Sequence, residues 1–63
     1  MIGEKVRELR LRKKLTQAEL AGDFITRNML SQIENGVATP SVSTVWELAK
    51  RLNVPAAYFL YKI

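Results

Sequence analysis

Apolar residues recur along the chain at intervals of three and four, the spacing that lines up one face of a helix. Ile2, Val6 and Leu9, continued by Lys13, mark a first amphipathic helix over about residues 3 to 13. Thr16 precedes Gln17-Ala18-Glu19, the Thr-x-x-Glu pattern of a capping box. A short second helix starts there, and Gly22 breaks it a turn and a half later. Phe24 and Ile25 are apolar although they lie in a connector, so the connector must be pinned to the core. Thr26 is the next N-cap, and a third helix runs from Arg27 to Glu34 with Leu30 and Ile33 inward. Asn35-Gly36 ends it, because glycine tolerates the left-handed turn that closes a helix. Val37 to Pro40 reads as a loop. Ser41 caps a fourth helix over about residues 42 to 52, with Val45, Leu48, Ala49 and Leu52 in one stripe. Asn53 closes that helix, and Pro55 starts a last short one through about Tyr61.

No strand pattern, repeat or low-complexity stretch interrupts this series. The expectation is therefore an all-α domain of five helices. Its second helix, tight connector and third helix form a helix-turn-helix candidate. Spacing alone leaves that motif open, since many small bundles contain two helices and a sharp turn.

Composition narrows the chemistry. Sixty-three residues make one small domain, spanning residues 1–63. Cysteine and histidine are absent. Disulfides, Cys- or His-ligated zinc and Cys- or His-based triads are thereby excluded. A hydrophobic fraction of 48% fits a packed globule rather than a disordered chain. There is no membrane-length apolar run and no leader-like start, so a cytoplasmic protein is expected. No metal-ligand cluster, glycine-rich phosphate loop or nucleophile–base pair is present. Catalysis is not expected, and no cofactor or metal is implied.

Charge points to a partner. Ten Lys and Arg stand against six Asp and Glu, a net +4. The whole excess lies in residues 1 to 14, where Lys5, Arg7, Arg10, Arg12, Lys13 and Lys14 face only Glu4 and Glu8. A basic end on a small domain suits a polyanion, nucleic acid before membrane; a solvated helix face is the alternative.

Four segments together are more specific than any one of them. They are Leu15-Thr16-Gln17-Ala18-Glu19-Leu20-Ala21, Leu30-Ser31-Gln32-Ile33-Glu34-Asn35-Gly36, Pro40-Ser41 and Leu48-Ala49-Lys50-Arg51-Leu52-Asn53-Val54. In that order and spacing they resemble the phage-repressor/Cro type of helix-turn-helix domain, the XRE family. The likeness covers about residues 4 to 60, nearly the whole chain. It implies a five-helix, lambda-repressor-like bundle that binds double-stranded DNA as a homodimer on a near-palindromic operator. Repression is the expected polarity. One departure stands out: Gly22-Asp23-Phe24-Ile25-Thr26 is one residue shorter than the usual connector, and its glycine is displaced toward the second helix. The stretch from Thr26 to Gly36 resembles a Gram-positive subgroup often fused to a helical-repeat, peptide-sensing portion. The chain is then either a small regulator or the N-terminal domain of a longer one. Its ending on Leu60-Tyr61-Lys62-Ile63 favours the longer one. A signalling peptide would act only through that further portion.

The resemblance assigns roles to residues. In this motif the third helix enters the major groove N-terminus first. Arg27, Asn28 and Gln32, with Met29 or Ser31 beside them, would face base edges. Arg can fork onto guanine, and Asn and Gln can pair with adenine. Arg27 has a second option, a phosphate clamp, and all of these residues could simply cover a solvated face. Gln17, Thr26 and Asn35 are phosphate candidates; ordinary helix-start and helix-end chemistry is the alternative for each. Lys13 and Lys14 either contact phosphate or only complement the dipole of the first helix. Arg10 and Glu34 resemble the family's internal ion pair between the first helix and the end of the third. Phe24 and Phe59 are expected in the core. Trp46, Tyr58 and Tyr61 are expected at the dimer interface, or else shield the far side of a small core. A different class remains: an antitoxin-like protein-interaction module of the same fold, whose DNA contact is autoregulatory.

Overall fold

The computed structural model describes residues 2–60. Five helices follow one another: α1 (Ile2–Arg12), α2 (Gln17–Ala21), α3 (Arg27–Glu34), α4 (Val42–Leu52) and α5 (Ala57–Leu60). Among the described residues no strand forms. Val6 of α1, Leu20 of α2, Leu30 of α3 and Val45, Leu48 and Leu52 of α4 are fully enclosed. They meet in one core, onto which Phe59 of α5 also packs. Burying each such leucine contributes about 1.5–3 kcal/mol, most of what a chain this short can gather.

Side-chain caps set the starts of the middle helices. Thr16 Oγ1 accepts from the Glu19 backbone N–H at 3.0 Å, while Glu19 Oε1 accepts from the Thr16 N–H at 2.8 Å. Thr26 Oγ1 accepts from the Met29 N–H at 3.0 Å, and Ser41 Oγ from the Thr44 N–H at 3.2 Å. Each bond satisfies a donor that the first turn of a helix leaves without a partner.

The ends depart from the sequence pattern in two places. α1 stops at Arg12 instead of continuing to residue 13. Lys14 turns left-handed, with φ 58°. Its N–H donates to Leu11 O and that of Leu15 to Arg10 O, both at 3.0 Å. This is the paired closure that usually employs glycine. At the other end Pro55 lies outside the helix it was expected to start. Its carbonyl accepts from the Tyr58 N–H at 2.9 Å, forming a turn that leads into α5. Tyr61 lies outside the described residues.

Candidate nucleic-acid interface

α3 is two turns long and sharply two-sided. Leu30, Ile33 and Glu34 are buried. At 100° per residue the opposite line runs through Asn28, Gln32 and Asn35, with Ser31 beside it. Arg27, Asn28 and Met29 are exposed, and Ser31 and Gln32 are half-buried. Arg27 stands at one edge of this polar line. There it borders a shallow depression shared with Arg10, Thr16, Gln17 and Ala18, at the start of α2. Met29, 42% exposed, stands at the other edge.

Beneath this face lies a buried polar network. Arg10 Nε donates to Glu34 Oε2 at 2.7 Å and Arg10 Nη2 to Glu34 Oε1 at 3.0 Å, a two-pronged pair between α1 and the last residue of α3. Arg10 Nη1 donates to the Leu15 carbonyl at 2.9 Å. Gln17 Nε2 donates to Glu34 Oε1 at 3.1 Å, which adds α2 to the same anchor. Among the described residues no buried side-chain nitrogen or oxygen lacks a partner. The network thus locks α1, α2 and α3 together at one carboxylate.

The network changes what each site residue can offer. Gln17 is half-buried and gives one amide hydrogen to Glu34; its second amide hydrogen is the donor left for an anion. Thr26 uses an oxygen lone pair on Met29 N–H, which leaves its hydroxyl hydrogen to donate. The backbone beyond α3 is already committed. The N–H groups of Asn35, Gly36, Val37 and Ala38 donate back to Ser31, Ile33 and Gln32 carbonyls at 2.9 to 3.1 Å. At that turn the exposed Asn35 side chain, rather than the backbone, has N–H donors left to offer.

The basic cluster of the N-terminal segment is divided by the fold. Arg10 is 8% exposed and belongs to Glu34. Lys5 Nζ donates to the Tyr58 carbonyl at 3.2 Å and lies 5.5 Å from the centre of the Tyr58 ring. Arg7, Arg12, Lys13 and Lys14 remain exposed.

The chain matches the family described as "Helix-turn-helix" over residues 6–59. The chain belongs to that family. Among curated relatives it is similar to an HTH-type transcriptional regulator, SutR, of Escherichia coli (strain K12). That alignment is 42% identical over 43 residues, 68% of this chain and 23% of the relative. It is also similar to the cryptic phage CTXphi transcriptional repressor RstR of Vibrio cholerae, 38% identical over 58 residues, 90% of this chain and 52% of the relative. The chain therefore spans about a quarter to a half of the length of these relatives. No solved structure matches it. Within the family's architecture α2, the Gly22–Thr26 connector and α3 are the helix-turn-helix, and α3 is its second helix.

The aromatic residues expected at one interface fall into two settings. Trp46, 62% exposed, lines an apolar groove with Val42, Val54, Pro55 and Ala56, between α4 and the α4–α5 connector. Tyr58 is not part of that groove. It stands over Lys5 and edge-on to Phe59, whose ring centre is 5.3 Å away. Phe59 is buried, whereas Phe24 is only half-buried and packs at the margin of the core. Among the described residues no helix is long and apolar enough to cross a membrane.

Arg51 is a residue that sequence reasoning passed over. Its Nε donates to Glu47 Oε2 at 3.0 Å, and its guanidinium lies 4.6 Å from the centre of the Phe24 ring. The Glu47–Arg51 spacing of four was a visible signal for the first contact. Nothing local in the sequence signals the second.

Proposed function

We propose that this chain is the DNA-binding unit of a cytoplasmic transcriptional regulator, with repression as its polarity. It reads one face of a double-stranded operator by inserting α3 into the major groove. The observation that carries this reading is the polar line Asn28–Gln32–Asn35, held rigid from behind by the Arg10–Glu34–Gln17 network. Asn28 and Gln32 supply amides that can pair with adenine edges, and Ser31 and Met29 complete the base-facing set. Arg27 borders the start of α2, which favours its phosphate-clamping role over base reading. Gln17, Thr26 and Asn35 flank α3 as phosphate donors, with Lys13 and Lys14 extending the positive rim. The names of the two relatives, a regulator and a repressor, support the same role. Nothing in this role calls for catalysis.

One α3 reads few base pairs, so a homodimer on a near-palindrome is part of the reading. The exposed Trp46 groove and Tyr58 are the surfaces available for it, with Tyr61 beyond the described residues. The same groove supports a second reading, in which a different protein docks there, as on an antitoxin. The chain could serve as one domain of a longer regulator under either reading.

Selection of bound duplexes from a random pool tests the proposal. The expected result is an enriched near-palindrome with half-sites about one helical turn apart, bound by two copies. Absence of any enriched sequence would reject base reading by α3. A strictly asymmetric site bound by one copy would reject the dimer, and a protein co-purifying through the Trp46 groove would favour the second reading.

A further inference from the structure

The connector between α2 and α3 sets the angle at which the polar face of α3 stands away from the start of α2. Besides the packing of its own Phe24 and Ile25 on the core, it meets a side chain that belongs to neither helix. Gly22 ends α2 with φ 53° and ψ −130°, a backbone conformation open to glycine and strained for other residues. A Cβ at Gly22 would overlap the Arg51 guanidinium of α4. The same guanidinium covers the Phe24 ring two residues further on, with 4.6 Å between Cζ and the ring centre. Glu47, one turn back on α4, fixes the near end of the arginine through Nε at 3.0 Å. Gly22 and Phe24 are thus both seated on one planar cation, which is itself tethered to α4.

The geometry points to Arg51 as a positioning residue for α3: it clamps the connector from outside and so holds the base-facing helix in register with α2. This inference rests on the DNA-binding reading for its consequence, but not for its structural half. The shape of the side chain matters to it. A guanidinium is flat and can lie against Gly22 and the Phe24 ring at once, while a lysine ammonium is a point charge without a plane. The missing side chain at Gly22 leaves the space that the arginine fills.

The test compares Arg51→Lys and Arg51→Ala with the wild-type chain. Its first readout needs no DNA. In both variants the backbone amides of residues 22–30 should shift and exchange faster with solvent, while those of α1 keep their wild-type behaviour. Unchanged connector amides in both variants would overturn the clamp. The second readout is binding per folded molecule to the selected duplex and to random duplex. Both variants should lose about ten-fold on the selected site, the size of one weakened base contact, and little on random duplex. Their salt dependence should stay that of the wild type, because no phosphate contact is removed. Full retention by Arg51→Lys, with a flatter salt slope for Arg51→Ala, would make Arg51 a phosphate contact and overturn the positioning role. A lower melting temperature with unchanged affinity and selectivity would overturn it too, leaving a merely structural arginine. If the wild type binds no duplex, the DNA reading fails, and the amide data alone decide whether Arg51 holds the connector.

Discussion

The α2–α3 half of the molecule and its α4–α5 half expose opposite chemistries. On α3 the outward line is amides and a hydroxyl, edged by the exposed Arg27 and Met29 and backed by a buried carboxylate that three side-chain N–H donors from α1 and α2 hold in place. Between α4 and the α4–α5 connector an apolar strip of Val42, Trp46, Val54 and Pro55 is bordered by Ser43, Glu47 and Lys50, and Trp46 is mostly open to solvent. The helix that carries the first surface is anchored through Glu34 before any partner arrives, which directional recognition favours. The second gains from burial alone, which is not directional. Under the proposed function the difference teaches that a small domain would separate selectivity from association by assigning polar and apolar work to different helices.

Removing the support behind α3 should be the strongest way to break the contrast. Glu34→Ala leaves the Arg10 guanidinium buried without its counter-charge, and loss of one partner of a buried pair costs about 3–5 kcal/mol. For a domain this small that approaches the total stability, so urea titration should show a largely unfolded chain. A variant within about 1 kcal/mol of wild type would mean that the network is dispensable. Next in size, Asn28→Ala and Gln32→Ala should each cost about 1–3 kcal/mol on the preferred duplex and relax selectivity at one or two positions. Lys13→Ala should instead weaken all duplexes alike and lower the salt slope by about one contact. Equal losses on every duplex for the α3 variants would erase the division between reading and holding.

Thr26→Ala tests the start of α3. Loss of the cap should cost about 0.5–2 kcal/mol, seen as a lower melting temperature. On the apolar side, Trp46→Ala should change monomer stability by no more than about 0.5 kcal/mol, because the ring is mostly exposed. Its effect should appear in sedimentation, as weaker concentration-dependent association and loss of the two-to-one complex on a palindrome. Unaltered association would place the dimer contact elsewhere. Tyr58→Ala is the natural comparison, since Tyr58 lies outside the groove.

Local chemistry was legible in the sequence and long-range contact was not. Thr16, Thr26 and Ser41 each stand directly before a helical period, and a hydroxyl there has one obvious use. The five helices and the α3 boundaries came from such signals. Lys13 continued the apolar spacing of α1 by one step too many, because periodicity carries no mark of where a left-handed residue such as Lys14 will stop the helix. Pro55 satisfied the rule for a helix start, yet its carbonyl closes a turn ahead of α5. Lys5 counted toward the basic cluster, although the fold sets it against Tyr58, fifty-three residues away. The hold of Arg51 on the connector depends on how α4 passes α2, which no spacing within either helix encodes. Exposed aromatic character puts Trp46 and Tyr58 at one expected interface, and only the packing of α5 against α1 separates them.

Gly3 bears on how this chain can vary over generations. It is buried in the first turn of α1, and a Cβ there would run into the backbone carbonyl of Ile33 near the end of α3. A carbonyl inside a helix cannot swing aside as a flexible side chain can, so α1 would have to lift away from α3. Gly3 should be among the least replaceable residues of α1, and inheritable change along that helix should collect instead at Glu4, Arg7 and Glu8, whose side chains face solvent.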